Sequence, residues 1–173
     1  MKVICSAWTK VLSTCDYLPT SSKPRQSPTQ IMFSNCYQRS FNFYSAPRFV
    51  THIDDGAIAS LTSYYRDNLQ PNGDVLDLCS SWVSHLPNDL PLGRVVGLGM
   101  NARELEANER LTEFVQVDLN VSPKLPFDDN SFDACLNVVS VDYLCRPKEV
   151  FEEMHRVLRP GGQAISALPC PCA

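Results

Sequence analysis

The chain has 173 residues, of which 44% are hydrophobic and 20% charged, which is enough for one globular domain with an appendage. Its charge is uneven, because residues 1–50 carry six Lys and Arg against one acid, whereas residues 51–173 carry nine against eighteen. An acidic body argues against nucleic acid as the main partner, and no apolar run reaches the roughly 18–20 residues needed for a membrane span.

Residues 1–47 form an arm that is rich in Ser, Thr, Arg, Lys and Pro and nearly free of acids. This composition is typical of a transit peptide, and the alternative is an ordinary disordered tail. Ser and Thr outnumber Arg and no regular basic amphipathic helix is visible, which favours the chloroplast over the mitochondrion or cytoplasm. The eight cysteines are scattered, which indicates reduced thiols rather than a disulfide framework.

Residues 48–168 carry the pattern of a domain. Asp54 or Asp55 is the expected N-cap of a first helix. The first strand is followed by a short loop, Cys79 to Ser81, and another helix is expected to start at Trp82. The expected helical face consists of Ile58, Leu61, Tyr65 and Leu69, and the expected strands are 75–78, 94–100, 114–117, 132–139 and 164–168.

Two further helices complete the alternation. Asn101 with Glu104 three residues later predicts a capped helix running to about Leu111. Pro147 opens another helix, which the run 159–162 should stop before the fifth strand. Strands that alternate with helices predict an α/β fold with a doubly wound, mainly parallel, Rossmann-like sheet. A ligand is then expected at the carboxyl ends of the strands.

The run LPFDDNSFDACLNVVSVDYLCRPKEVFEEMHRVLRPGG, residues 125–162, closely resembles the class I S-adenosylmethionine-dependent methyltransferases of the type 11 group. The combination of LPF, D-N-S-F-D and, about thirty residues on, R-V-L-R-P-G-G is specific to that family. The HIDDGAI stretch resembles a plant and bacterial subgroup. The resemblance implies a class I methyltransferase fold, S-adenosylmethionine as cofactor and transfer of its methyl group to an acceptor, with a small molecule favoured over a protein.

The resemblance also implies roles for individual residues. Asp77 would end the first strand and fix the loop and the methionine amino group, while Asp118 would bind the adenine amino group and Leu119 would donate its backbone N–H. Asn137 with Val139 would face the methionine portion, and Phe127 would help to wall the cleft. The cofactor-binding set implied by these positions and by the alternatives below is Asp77, Ser80, Ser81, Gly99, Asn101, Asp118, Leu119 and Asn137.

Two positions depart from the family's pattern. Its glycines after the first strand fall on Cys79, Ser81 and Val83, and its ribose-binding acid falls on Gly99. Either the site is degenerate, or the hydroxyls of Ser80 and Ser81 bind the amino acid end of the cofactor and Asn101 or Glu104 reaches the ribose. The competing function is an inactive or truncated remnant that acts as a binding or interaction module. A nicotinamide-dependent oxidoreductase is disfavoured, because no G-x-G-x-x-G follows the first strand.

Methyl transfer requires alignment, and it requires a base only where the acceptor must lose a proton. His52 and Asp54 are the catalytic candidates, against the simpler interpretation that Asp54 or Asp55 caps the first helix and His52 is a surface residue. His85 is interpreted as a structural histidine. Cys170 and Cys172 offer only two thiols, so no metal site is expected.

A complete domain of this family continues past the fifth strand with a helix and an antiparallel pair of strands, whereas this sequence ends at Ala173. We therefore expect an incomplete domain with its last strand exposed at the sheet edge, which is a liability for aggregation. Residues 169–173 are expected to form a disordered tail.

Overall fold

The computed structural model describes residues 2–4 and 46–167, and its strands build one parallel sheet. In chain order they are β1 (Lys2–Ile4), β2 (Val75–Leu78), β3 (Val95–Gly99), β4 (Glu113–Gln116), β5 (Phe132–Val138) and β6 (Leu158–Ala167). The spatial order is β1-β6-β5-β2-β3-β4, and every neighbouring pair is parallel. The predicted α/β fold with a Rossmann-like parallel sheet is confirmed.

The helices are α1 (Asp55–Asn68), α2 (Ala102–Glu106) and α3 (Pro147–Val157), and a short 3₁₀ turn covers Val141–Tyr143. Asp54 caps α1 by accepting a hydrogen bond of 2.8 Å from the N–H of Ala57. Asn101 caps α2 as predicted, through hydrogen bonds to its Oδ1 from the N–H groups of Arg103 and Glu104. None of the helices in the described residues is long and apolar enough to cross a membrane.

Two apolar clusters pack on opposite faces of the sheet, as the alternating side chains of β2 show. Leu76 and Leu78 belong to the cluster under α3, whereas Val75 belongs to the cluster under α1. The largest fully buried side chain is Tyr65 of α1. The sheet is thereby covered on both faces, which leaves its carboxyl edge as the place for a ligand.

The expected helix start at Trp82 is wrong, because residues 82–92 form a loop in the structure. The segment WVSHLPNDLPL contains Pro87 and Pro91, which leave no run long enough for a stable helix between the strands. α2 is also shorter than predicted, since it ends at Glu106. The helix does not continue through Asn108. The side-chain amide of Asn108 instead donates hydrogen bonds to the carbonyl of Ser81 and to Ser84 Oγ, both in the loop after β2.

β6 begins six residues earlier than expected, directly after α3. Leu158 pairs with Phe132 and Gln163 with Ala134, so the four residues 159–162 form an irregularity in the ladder. Gly162 is required there, because a Cβ atom would lie 2.9 Å from the carbonyl oxygen of Arg159 and 3.0 Å from that of Asp133. Residues 159–162, which were predicted to stop the helix, therefore follow the end of α3 and also form a bulge in β6.

The expectation of an exposed edge at the last strand is wrong, since β1 pairs in parallel with β6. Lys2 lies opposite Ile165, Val3 opposite Ser166 and Ile4 opposite Ala167. Backbone pairing satisfies edge N–H and C=O groups that would otherwise remain open. Residues 2–4 of the arm are thus a strand, whereas residues 5–45 and the tail with Cys170 and Cys172 lie outside the described residues.

Candidate cofactor-binding site

The carboxyl ends of β2, β3, β4 and β5 border one elongated cleft. Its larger part, about 810 Å³ with its open mouth, lies between the loop after β2 and the segment before α1. Its smaller part, about 390 Å³, lies at the ends of β3 and β4. Cys79, Ser140 and Tyr143 line both parts, so the two form a continuous site at the place where parallel α/β sheets bind ligands.

A buried carboxylate organises the loop after β2. Oδ2 of Asp77 accepts hydrogen bonds of 2.6 Å from the hydroxyls of both Ser80 and Ser84. Burial raises the pKa of Asp77 to about 6, and the two serine hydrogen bonds oppose that rise. The Ser80 hydroxyl therefore stabilises the loop from within, and its donor is directed at Asp77 rather than at the cleft.

Three residues that border the cleft have left-handed backbone conformations. Cys79 has φ of 56°, Val139 has φ of 51° and His85 has φ of 54°. Such conformations are uncommon outside glycine and cost on the order of 1–3 kcal/mol each, and they cluster at functional sites. Cys79 and Val139 directly follow the neighbouring strands β2 and β5, so both left-handed residues lie at the carboxyl edge of the sheet.

Gly99, where the resemblance would place a ribose-binding acid, is in contact with the loop after β2. A Cβ atom there would overlap the carbonyl oxygen of Ser80, whose N–H donates to Leu98 O over 2.8 Å. No side chain fits at residue 99 while the loop keeps this path. Gly99 can therefore line the smaller part of the cleft only through its backbone.

Glu104 of α2 lies beside the loop after β2, where it is only 4% exposed and lines the larger part of the cleft. Its Oε2 accepts from the Ser81 hydroxyl at 2.6 Å, and its Oε1 accepts from the N–H of Arg48 at 2.7 Å. Asn101 holds the helix that carries it, and its own side chain serves as the cap. Of the two residues proposed to reach the ribose, the structure thus places Glu104 at the cleft wall.

The smaller part of the cleft is mostly apolar, with Asp118 at its rim. Asp118 Oδ1 accepts from the N–H of Asn120 at 2.8 Å, and the neighbouring Leu119 is buried. Asn120 in turn donates to the carbonyl of Tyr143 and accepts from the N–H of Cys145. The loop after β4 is therefore tied to the loop after β5 beside the smaller part of the cleft.

Asn137 and Cys79 form part of the wall behind the cleft. Asn137 is 1% exposed and its amide group donates to Cys79 Sγ over 3.8 Å. Its Oδ1 has no hydrogen-bond partner within the described part of the chain. Burial raises the pKa of the Cys79 thiol to about 12, so that sulfur remains protonated at neutral pH. Val139, which was expected beside Asn137, lines the cleft directly.

A segment comprising residues 48–53, hereafter the 48–53 segment, covers the mouth of the larger part. The carbonyl of Val50 accepts from Trp82 Nε1 at 3.1 Å, and the ring of Phe49 packs edge-on against Trp82 with centroids 6.3 Å apart. His52 belongs to this segment and lines the cleft although it is exposed, whereas Asp54 caps α1. The structure thus brings one of the two catalytic candidates to the site.

Ser84 and His85 also border the cleft, although neither was selected from the sequence as a site residue. Both lie in the segment that was expected to be helical, so their positions depend on the loop and not on a periodic pattern. The interpretation of His85 as a purely structural histidine did not anticipate its place in the cleft wall. The only sign in the sequence that His85 could lie at the site was its position in a short run of residues that ends before Pro87.

Comparison with known proteins gives a consistent result. The model of the methyltransferase domain family matches residues 79–166, just over half of the chain. A demethylmenaquinone methyltransferase of Staphylococcus epidermidis is 35% identical over 111 residues, which cover 57% of this chain and 44% of that protein. One from Listeria monocytogenes is 33% identical over 104 residues, covering 55% and 44%. The chain thus spans less than half the length of these relatives.

Two solved structures share the fold. Phosphoethanolamine N-methyltransferase 1 of Haemonchus contortus, in complex with phosphoethanolamine and S-adenosylhomocysteine, superimposes with a TM-score of 0.60 at 17% identity, over 84% of this chain and 34% of that one. The [4+2]-cyclase SpnF gives 0.55 at 20% identity, over 84% and 61%. With the family match over residues 79–166, these findings establish that the chain belongs to the class I S-adenosylmethionine-dependent methyltransferase family.

Proposed function

We propose that the protein binds S-adenosylmethionine in the cleft at the carboxyl edge of the sheet and transfers its methyl group to a small organic acceptor. The observation that carries this proposal is the alignment of three carboxylates, Asp77, Glu104 and Asp118, along one continuous cleft. Asp77 lies in β2, Glu104 lies in α2, the helix that follows β3, and Asp118 follows β4. A ligand with amino, hydroxyl and heterocyclic amine donors suits such a row of acceptors.

The residues present fit the cofactor. Asp118 and the N–H of Leu119 would hold the adenine at the apolar part, and Glu104 would take the ribose hydroxyls in place of an acid at Gly99. Asp77 would act on the methionine end through the loop that it organises. When bound, the cofactor supplies an electrophilic methyl group on a positively charged sulfur. The protein's part is to align the reactants and to exclude water.

The acceptor is proposed to be a small molecule with an apolar ring. The larger part of the cleft offers apolar wall residues on both sides, which are Val50, Ile53, Val83, Val138 and Val139. Tyr143 stands at the mouth with 43% of its surface exposed, where it can stack on a planar ligand. The name of the demethylmenaquinone methyltransferases agrees with an acceptor of this shape. A panel of hydroxynaphthoquinones, catechols and primary amines with radiolabelled cofactor would identify its class.

Calorimetric titration with S-adenosylhomocysteine tests the cofactor site. We expect a Kd below about 100 µM, which corresponds to about −5.5 kcal/mol, and loss of binding in Asp118→Ala. Asp128→Ala is the matched control, because Asp128 is exposed and lies outside the cleft. Absence of binding to the wild-type chain would reject the proposal. Unchanged binding in Asp118→Ala would reject the placement of the adenine.

A second candidate function is ligand binding without methyl transfer. It is favoured by the internal hydrogen bonds of Ser80, Ser81 and Glu104, which engage the groups expected to hold the cofactor. Binding of S-adenosylhomocysteine with no methyl transfer to any member of the acceptor panel would support this candidate. Transfer to any one of them would exclude it.

The proposed location is the chloroplast, with the mitochondrion and cytoplasm as alternatives. The acid-poor composition of residues 1–47 supports it. A carboxyl-terminal fluorescent fusion of the whole chain, observed in leaf cells beside a fusion that begins at residue 46, would test it. Identical distribution of the two fusions would contradict targeting by the arm.

A further inference from the structure

His85 occupies an unusual position in the wall of the cleft. It lies in the loop after β2, lines the larger part of the cleft and has φ of 54°. Its side chain is half-buried. In a left-handed conformation, the side chain of a loop residue points in a different direction from the one it would have in an extended chain. The chain therefore accepts backbone strain at a residue whose imidazole borders the proposed reaction site.

Hydrogen bonds fix the backbone around this residue from two sides. Thr62 Oγ1 of α1 donates to the carbonyl of His85 at 2.9 Å. The preceding Ser84 donates to Asp77 at 2.6 Å and accepts from Asn108 Nδ2 at 2.8 Å. The loop position of His85 is thus set by α1, β2 and the end of α2 together. The backbone position from which the imidazole reaches the cleft is thus fixed before a ligand arrives.

Three ionisable groups around the larger part of the cleft, Asp77, Glu104 and Cys79, are already engaged or protonated. Asp77 accepts from two serines, Glu104 accepts from Ser81 and Arg48, and the pKa of Cys79 is raised to about 12. The imidazole of His85 makes no hydrogen bond to any residue that the structure describes. The titratable and charged residues lining this part, besides His85, are Arg48, His52, Asp77, Cys79, Glu104 and Tyr143.

We propose that His85 is the general base of methyl transfer, an inference that rests on the proposed function. The electron pair of the acceptor's nucleophilic atom forms the bond to the methyl carbon while the carbon–sulfur bond breaks and leaves its pair on sulfur. The proton of the acceptor passes to an imidazole nitrogen of His85, from which water removes it. This requires an acceptor whose attacking atom carries a proton, such as a hydroxyl, an amine or a thiol.

The electrostatic environment of His85 suits this role. Burial lowers its pKa below the ordinary value of 6.5, so the imidazole is neutral and able to accept a proton at pH 7 and above. The carboxylates of Asp77 and Glu104 and the charge of Arg48 face the same cleft, but burial is the cause of the shift. The rate of transfer is therefore expected to fall as the pH drops through the lowered pKa of His85.

The variant His85→Asn tests this inference on the full chain. Asparagine tolerates the left-handed backbone conformation, so the loop should keep its path while the base is lost. We expect S-adenosylhomocysteine to bind within about threefold of wild type, and methyl transfer to a naphthol, a primary amine or a thiol to fall by about 10²–10⁴-fold. His155→Asn on the exposed side of α3 is the matched control, with unchanged binding and transfer.

A second measurement does not depend on turnover. In proton NMR the imidazole resonances of His85 should titrate below the ordinary histidine range and shift when S-adenosylhomocysteine is added, whereas those of His155 should not shift. Calorimetric binding with no shift at His85, or transfer at the wild-type rate by His85→Asn, would overturn the inference. Binding with no transfer to any acceptor would support ligand binding without methyl transfer, and would overturn the proposed function together with this inference. No binding to the wild-type chain would overturn the proposed function itself, and this inference with it.

Discussion

Oε2 of Glu104 accepts a hydrogen bond of 2.6 Å from the hydroxyl of Ser81, which ties the loop after β2 to α2 in the wall of the cleft. Its other oxygen accepts from the N–H of Arg48, so the same carboxylate also anchors the 48–53 segment. Glu104 is therefore both part of the wall and, in the proposed function, the acceptor for ribose hydroxyls. Ribose binding has to compete with these two internal donors.

Glu104→Gln tests this double role. The amide keeps the shape of the side chain and one acceptor, but it loses the charge that strengthens hydrogen bonds to the ribose. We expect the affinity for S-adenosylhomocysteine to fall about 10–100-fold, which corresponds to roughly 1.5–3 kcal/mol. Calorimetry measures it, with Glu106→Gln on the exposed side of the same helix as control. Equal affinity in both variants would remove Glu104 from the binding site.

Asp77→Asn is expected to change how stability depends on pH. Burial raises the pKa of Asp77 from 3.8 to about 6, so the folded chain favours the protonated carboxyl. The stabilising effect is complete below pH 4 and is lost as the pH rises through 6, a cost on the order of 3 kcal/mol at neutral pH. Urea unfolding at pH 4.5 and 7.5 should show the wild type losing about 2 kcal/mol relative to the variant.

The control for this measurement is Asp128→Asn, since Asp128 is exposed. Its stability should follow that of the wild type at both pH values. Parallel pH curves for the wild type and Asp77→Asn would mean that Asp77 has an ordinary pKa in the folded chain, and that its two serine partners offset its burial.

Arg156→Lys tests how the loop before β5 is held against α3. The guanidinium donates to the carbonyls of Leu125 and Phe127 and to the carboxylates of Asp129 and Glu153. Those carboxylates raise the pKa of Arg156, and its side chain is 27% exposed. Lysine keeps the charge but cannot reproduce the planar fork, so we expect a loss of about 2 kcal/mol in urea unfolding.

Arg66→Lys is the matched control, because Arg66 pairs only with Asp89 in the described residues and both side chains are largely exposed. Its urea midpoint should be indistinguishable from that of the wild type. An equal decrease in both variants would show that the carbonyl contacts of Arg156 contribute nothing beyond a surface ion pair.

Removal of residues 1–4 is expected to open the edge of β6. Hydrogen exchange followed by mass spectrometry should show faster exchange in the peptide that covers residues 165–167, where β1 pairs. The unpaired edge should also promote aggregation on concentration. Val3→Ala, which keeps the backbone groups of β1, should exchange like the wild type. Slow exchange in the shortened chain would show that β1 does not protect this edge.

The strands and α3 could be predicted because each is determined by residues close together in the sequence. Pro147 begins α3, and its apolar spacing places Val150, Met154 and Val157 in the core, as the structure confirms. β1 could not be predicted in the same way, since its pairing joins Lys2 to Ile165. Three residues of edge strand carry no periodic signal of their own.

The loop after β2 shows the same limit at the candidate site. Its path depends on the buried carboxylate of Asp77 and on Asn108, which is 24 residues from its partner Ser84. Cooperation of this kind between polar groups leaves no local pattern. The acids at the cleft were nevertheless visible in the sequence, because Asp77 lies near the end of an apolar strand, Asp118 follows another and Glu104 completes a capping box.

The contact between Gly99 and the carbonyl of Ser80 links two departures from the expected family pattern. These are the loop after β2 without glycine and the glycine at residue 99, which appear separate in the sequence. A side chain at residue 99 requires another loop path, and this loop path requires glycine at residue 99. Substitutions at the two sites are therefore interdependent, and reintroducing an acid at residue 99 alone should impair the chain more than reintroducing it together with a glycine-containing loop.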